Sequence, residues 1–229
     1  MKTIGILGGL GPQATMDFEA RIHRVSQRLI PQQGNSGYPP LIVYYYRHPP
    51  ILLADDGQPL LPIQPDPRLL TAARQLGALV DFLVIAANGP HMLQTEIEQA
   101  AGCPVVSMIE ATLAEVQERG WQKVGLLGLG EPHVYMQPLG QMGLAYEIVP
   151  TPLRSQLDAA IMALMAGQED AGSTAIARQA IDFLRSQGVD GIIPGCTEIP
   201  LLLGDFAGEP DLVNPAQLLA ETAVKQAMA

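Results

Sequence analysis

Two cysteines and three lysines are a sparse supply of nucleophilic side chains for 229 residues. Cys103 and Cys196 are too few for a disulfide framework and have no neighbouring cysteine or histidine at zinc-ligand spacing, so no metal site is expected. Lys2 and Lys123 precede strand-like runs and Lys225 lies near the end of the chain; none falls where a Schiff base with pyridoxal phosphate would need it. Aromatic residues make up 5% of the chain, and basic residues are outnumbered 13 to 23 by acidic ones. A field of that sign repels phosphate backbones, so nucleic acid is not an expected partner. No apolar run reaches the roughly 18 residues of a membrane span, and MKTIGILGG enters a strand pattern directly. The expectation is a cytoplasmic protein with no membrane attachment.

What the chain does contain is hydrophobic material, 48% of the residues, punctuated by 23 glycines and 20 prolines. Glycine and proline at that density imply many short elements joined by sharp turns. Runs rich in Ile, Val and Leu at 2–8, 40–46, 81–87, 104–107, 123–128, 145–149 and 189–195 read as strands. Amphipathic stretches near 12–30, 67–78, 91–101, 110–119, 133–142, 153–166, 172–187 and 215–228 read as helices. Strand and helix alternate, so the fold class is α/β with parallel sheets flanked by helices.

An internal comparison divides the chain. Ile4-Gly5-Ile6-Leu7-Gly8 aligns with Val124-Gly125-Leu126-Leu127-Gly128 at an offset of about 120. Asp81-Phe82-Leu83-Val84 aligns with Asp190-Gly191-Ile192-Ile193 at an offset of about 109, which sets Ala87-Asn88 against Cys196-Thr197. Two similar domains are expected, 1–107 with 211–229 and 108–210, related as a pseudo-twofold duplication. Ligands of open parallel sheets bind beyond the carboxyl ends of the strands, so the loops there would wall a cleft between the domains. The proline- and aspartate-rich stretch from Arg47 to Pro67 is long for a turn and reads as a lid or rim.

Gly8-Gly9-Leu10-Gly11-Pro12 lacks the spacing of a dinucleotide fingerprint, and Pro12 removes an amide where phosphate would sit. A tight turn whose amides could meet a carboxylate fits better. Cys196, at the end of a strand and ahead of Thr197-Glu198-Ile199-Pro200, could feel a helix N-terminus that lowers its pKa toward the thiolate, making it a base or nucleophile. The plainer reading of a lone thiol is core packing, which is the one expected of Cys103. Asn88 can hold a carboxylate oxygen, and His91 can orient it, relay a proton, or merely cap the next helix. Glu198 could fix Thr197 or open the helix as a first-turn acid.

IGILGGLGP, the Asn88 and His91 loop, VGLLG and above all GCTEIPLL from Gly195 to Leu202 resemble the aspartate/glutamate racemase superfamily over nearly the whole chain. The resemblance implies two α/β domains, a site in the cleft between them, no cofactor, a homodimer, and an amino acid or other small carboxylate as substrate. It also implies one thiol from each domain on opposite faces of the substrate's α-carbon. Cys196 would be one of them. The other position reads Ala87-Asn88-Gly89 where the family usually has Cys-Asn-Thr, so the opposing thiol is missing. By the same resemblance Gly8, Gly9, Gly11, Asn88, Gly89, Thr197 and Glu198 would line the substrate, with His91 behind them. The segment after the second strand reads Arg47-His48-Pro49-Pro50 in place of Pro-Asp-Arg, leaving Arg47 as the basic partner of a second carboxylate. An expected lysine is the apolar Met165, and a threonine-rich loop is Gly128-Leu129-Gly130-Glu131. A racemase or epimerase of the acidic type is the default expectation, with a one-thiol decarboxylase or isomerase, or a silent carboxylate binder, as alternatives.

Overall fold

The computed structural model describes residues 1–168 and 170–229 and divides into two compact units, Met1–Met108 with Ala216–Ala229, and Ile109–Pro215. All seven expected strands form, and every pairing between them is parallel.

In the first unit the sheet order is β2-β1-β3-β4, with β1 at Ile4–Gly8, β2 at Leu41–Tyr45, β3 at Phe82–Ile85 and β4 at Val105–Val106. Strand alternation divides its apolar residues between two faces. Ile4, Ile6, Phe82 and Val84 pack under α1 (Pro12–Leu29) and α9 (Pro215–Met228), against Phe18, Ile22, Leu219 and Val224. Leu7, Leu83 and Ile85 pack under α2 (Pro67–Gly77) and α3 (Gln94–Ala101), against Leu69, Leu76 and Ile97. Each such side chain is fully withdrawn from water, worth roughly 1.5–3 kcal/mol before ordering costs.

The second unit repeats the plan in the order β6-β5-β7, with β5 at Lys123–Leu127, β6 at Ala145–Ile148 and β7 at Gly191–Pro194. Val124, Leu126 and Ile193 face α4 (Met108–Glu118) and α5 (His133–Gln141). Leu127 and Ile192 face α6 (Thr151–Met165), α7 (Ala171–Ser186) and α8 (Ile199–Leu203). A parallel bridge from Ile192 to Leu212 stands where β4 stands in the first unit. Arg185 secures that segment through Asp211 and Glu209. The helix that follows each fourth strand position belongs to the other unit: α4 lies in the second and α9 in the first.

The duplication extends to single atoms. Asp81 accepts the Thr3 amide at 2.6 Å, and Asp190 accepts the Gln122 and Lys123 amides at 2.7 and 2.9 Å, each tying the start of the third strand to that of the central one. Those amides hold the Asp190 carboxyl below its ordinary range. A Cβ on Gly5 would lie 2.5 Å from Leu83 Cδ2, and one on Gly125 would lie 2.9 Å from Leu184 Cδ1. Both central strands therefore carry glycine where side chains of the third strand and of the helix before it crowd the backbone.

The Arg47–Pro67 stretch is more ordered than a rim loop need be. It is an antiparallel excursion with bridges Ile51–Pro65 and Leu53–Pro59. Asp66 closes it by capping α2, and its carboxyl is held low by Arg68.

Candidate active site

The end of β7 sets the position of the thiol. The Gly195 amide donates to Leu127 O at 2.7 Å, which clips the loop to β5, and the Cys196 carbonyl accepts from Ile199 N at 3.1 Å as α8 begins. Within this turn Cys196 Sγ donates to Glu198 Oε2 at 3.1 Å, and Thr197 Oγ1 donates to the same oxygen at 3.0 Å. Glu198 is 4% exposed and Thr197 7%, while Cys196 is partly open. A withdrawn carboxylate thus collects two protons' worth of hydrogen bonding, one from sulfur and one from oxygen.

The electrostatic consequence reverses the expectation of a depressed thiol. Burial, followed by the charge of Glu198, pushes the Cys196 thiol well up. The amides of Glu198 and Leu129, both on the sulfur, pull the other way and would steady a thiolate once formed. α8 has five residues, too short for its dipole to outweigh an adjacent carboxylate. Cys103 is also pushed up, by burial and by Glu98 and Asp81, consistent with its packing role.

Ala87 occupies the equivalent turn of the first unit. There the Ala86 amide donates to Leu7 O at 3.0 Å, the same clip between third and central strands that Gly195 makes to Leu127. Ala87 is partly open, Asn88 is buried at 2% exposure, and Gly89 is exposed at the start of a 3-10 turn over Gly89–Leu93.

Of the roles open to His91, its hydrogen bonds fit the structural one. Its Nδ1 donates to the carbonyls of Ala87 (2.9 Å) and Asn88 (3.2 Å), and its Nε2 accepts the Met108 amide at 3.0 Å. With both nitrogens on backbone, the ring is a neutral brace that pins the Ala87 turn to Met108. Burial lowers its pKa from 6.5 to about 4. Because the unfolded chain takes up a proton below 6.5 that the folded chain refuses, stability is full above that pH. It should fall by about 3 kcal/mol as pH drops from about 6.5 to about 4. Urea titrations across that range should show the slope, and His91→Gln should flatten it.

Two further expectations change. The Gly9 amide is not available to a carboxylate, since it donates to Thr15 Oγ1 at 2.9 Å, and that hydroxyl donates in turn to Gly11 O at 2.9 Å. Gly9 has φ +79°, and a Cβ there would sit 2.6 Å from Tyr46 N, so the turn admits only glycine. Gly8 gives its carbonyl to the Tyr46 amide. Thr197 likewise spends its one O–H on Glu198. Arg47 is exposed and lies 4.7 Å over the Tyr45 ring, lining a 350 Å³ cleft with Tyr44, His48 and Arg68.

Three contributors escaped the sequence reading. The Leu129 amide on the sulfur could have been sought from the pairing of β5 with β7; Thr15 is signalled by a hydroxyl in the first turn after the glycines. Nothing in the sequence pointed to the Met108 amide. Among the described residues no group of three or more His, Cys, Asp or Glu could hold a metal ion, and no helix is long and apolar enough to cross a membrane.

Comparison with known proteins agrees with this architecture. The broad specificity amino-acid racemase RacX of Bacillus subtilis (strain 168) is 26% identical over 231 residues, covering 99% of this chain and 98% of that protein. An aspartate racemase homologue from Pyrococcus horikoshii OT3 superposes with a TM-score of 0.75 at 25% identity, covering all of both chains. The aspartate racemase of Picrophilus torridus shares the fold, with a TM-score of 0.75 at 18% identity, over 100% of this chain and 95% of that one. The family model for Asp/Glu/Hydantoin racemases matches residues 7–223, and the chain belongs to that family.

Proposed function

We propose that this protein is an isomerase, a racemase or epimerase of an amino acid, that moves the α-proton through the thiol of Cys196 without a cofactor. The observation that carries the reading is the 3.1 Å contact from Cys196 Sγ to Glu198 Oε2 on a loop at a strand's carboxyl end. The kinship to a protein named as a broad specificity amino-acid racemase supports the substrate class. Aspartate and glutamate are what the family name alone would favour.

The chemistry starts from a protonated thiol. As pH rises the thiol gives its proton to solvent, and the thiolate, steadied by the Leu129 and Glu198 amides against the Glu198 charge, takes the substrate's α-hydrogen as a proton. The C–H electron pair passes into the neighbouring carboxylate as an enediolate, and a proton returned to carbon completes the cycle. Return from sulfur restores the starting enantiomer; inversion needs a donor on the opposite face. The residue equivalent to Cys196 in the other repeat is Ala87, whose methyl group offers no proton. Ala87 also favours a second reading, one-thiol chemistry such as decarboxylation or isomerisation of a small carboxylic acid, in which a single donor sets the stereochemistry.

Deuterium uptake at the α-carbon in heavy water, followed against pH, tests the proposal. The rate should climb into the alkaline range, because the base is a thiolate whose pKa is raised. Glu198→Gln removes the adjacent negative charge and should move that limb to lower pH. No uptake from any amino acid at any pH would sink the reading, and an unmoved limb would remove Glu198 from it.

A further inference from the structure

The carboxyl ends of β5, β6 and β7 bring three loops together within the second unit. Leu126 pairs with Ile148 and Leu127 with Pro194, so the Gly128–Glu131 loop leaves β5 between the first turn of α6 and the Cys196 turn. The Leu129 amide is on the sulfur, while its side chain is 46% exposed. Gly130 N is held by Asp158 Oδ1 at 2.8 Å, which fixes the loop against α6. Glu131 Oε1 lies 3.1 Å from Arg154 Nη1, and its other oxygen lies 3.8 Å from His133 Nε2.

Arg154 is the one arginine or lysine on these loops, and it is already engaged. Glu131 neutralises it, and its Nη2 donates to Thr151 Oγ1 at 3.4 Å. Against that single guanidinium stand three carboxylates, on Glu198, Glu131 and Asp158. The surface next to the thiol is therefore an exposed leucine backed by net negative charge. A substrate with a second carboxylate would meet repulsion there and find Arg154 already neutralised by Glu131, whereas a methylene chain finds Leu129 and a distal ammonium meets the residual negative charge.

We infer that Leu129 and Glu131 select amino acids whose side chains are neutral or cationic and discriminate against aspartate and glutamate. The inference rests on the racemase reading, whose chemistry it leaves unchanged. Its test is α-hydrogen exchange by the full chain in heavy water with aspartate, glutamate, methionine, glutamine and lysine side by side. Methionine and lysine should exceed aspartate in kcat/KM by at least tenfold, and Glu131→Gln should narrow that gap several-fold. Aspartate or glutamate exchanging as fast as methionine and lysine would overturn the inference and leave the racemase reading standing. Exchange with none of the five would instead strike the racemase reading itself, and the inference with it.

Discussion

Cys196→Ala should slow α-hydrogen exchange by about 10²–10⁴-fold, the usual worth of a positioned acid–base group. The loss should be this large because no other labile proton on the turn can take over. Thr197 has given its hydroxyl to Glu198, and Glu198 is withdrawn behind the sulfur. The substitution removes a partly open side chain that packs at the margin of the α6–α7 core, so the melting temperature should stay near that of the parent. Exchange measured by mass spectrometry or proton NMR on the same sample separates the two effects. A variant that exchanges as fast as the parent would show that sulfur is not the base.

Ala87→Cys is the second large effect. Ala87 and Cys196 stand at equivalent places because the residue before each makes the same hydrogen bond, Ala86 N to Leu7 O and Gly195 N to Leu127 O. If Ala87 stands where a second thiol would serve, the parent should exchange hydrogen for deuterium largely with retention. The variant should then invert, gaining racemisation by about 10²–10⁴-fold. Chiral chromatography gives the inversion rate and mass spectrometry the exchange rate. Should their ratio be the same in parent and variant, the opposed-thiol arrangement is wrong for this protein, and the one-thiol alternative gains.

These expectations show where the sequence was legible. All seven strands could be read from their apolar runs, and β1, β3 and β7 most plainly, because strands buried throughout have little room for polar residues. The duplication was visible because glycine at 5 and 125, and aspartate at 81 and 190, perform the same tasks in each half. The Leu212 rung was not legible: one bridging residue has no periodicity, and its place is decided by hydrogen bonds to Ile192. Charge at the site was read with the wrong sign. A helix N-terminus after Cys196 suggested an acidic thiol, but whether Glu198 turns outward or folds back on the sulfur is a matter of rotamer, and it folds back. Which of its roles His91 takes was not legible for a related reason. Its second partner is an amide 17 residues away, and only the folded chain brings that amide to the ring.

The exchange of final helices between the halves bears on how the molecule can be divided. A gene cut after codon 108 would yield one piece whose β1 lacks α9 and its Leu219 and Val224, and another that keeps α4 from Ile109 onward and carries a superfluous α9. The natural seam of the architecture is thus not a point along the polypeptide. Each half is completed by a stretch lying outside its own repeat, so the pair is inherited and built as one indivisible object although its parts are copies.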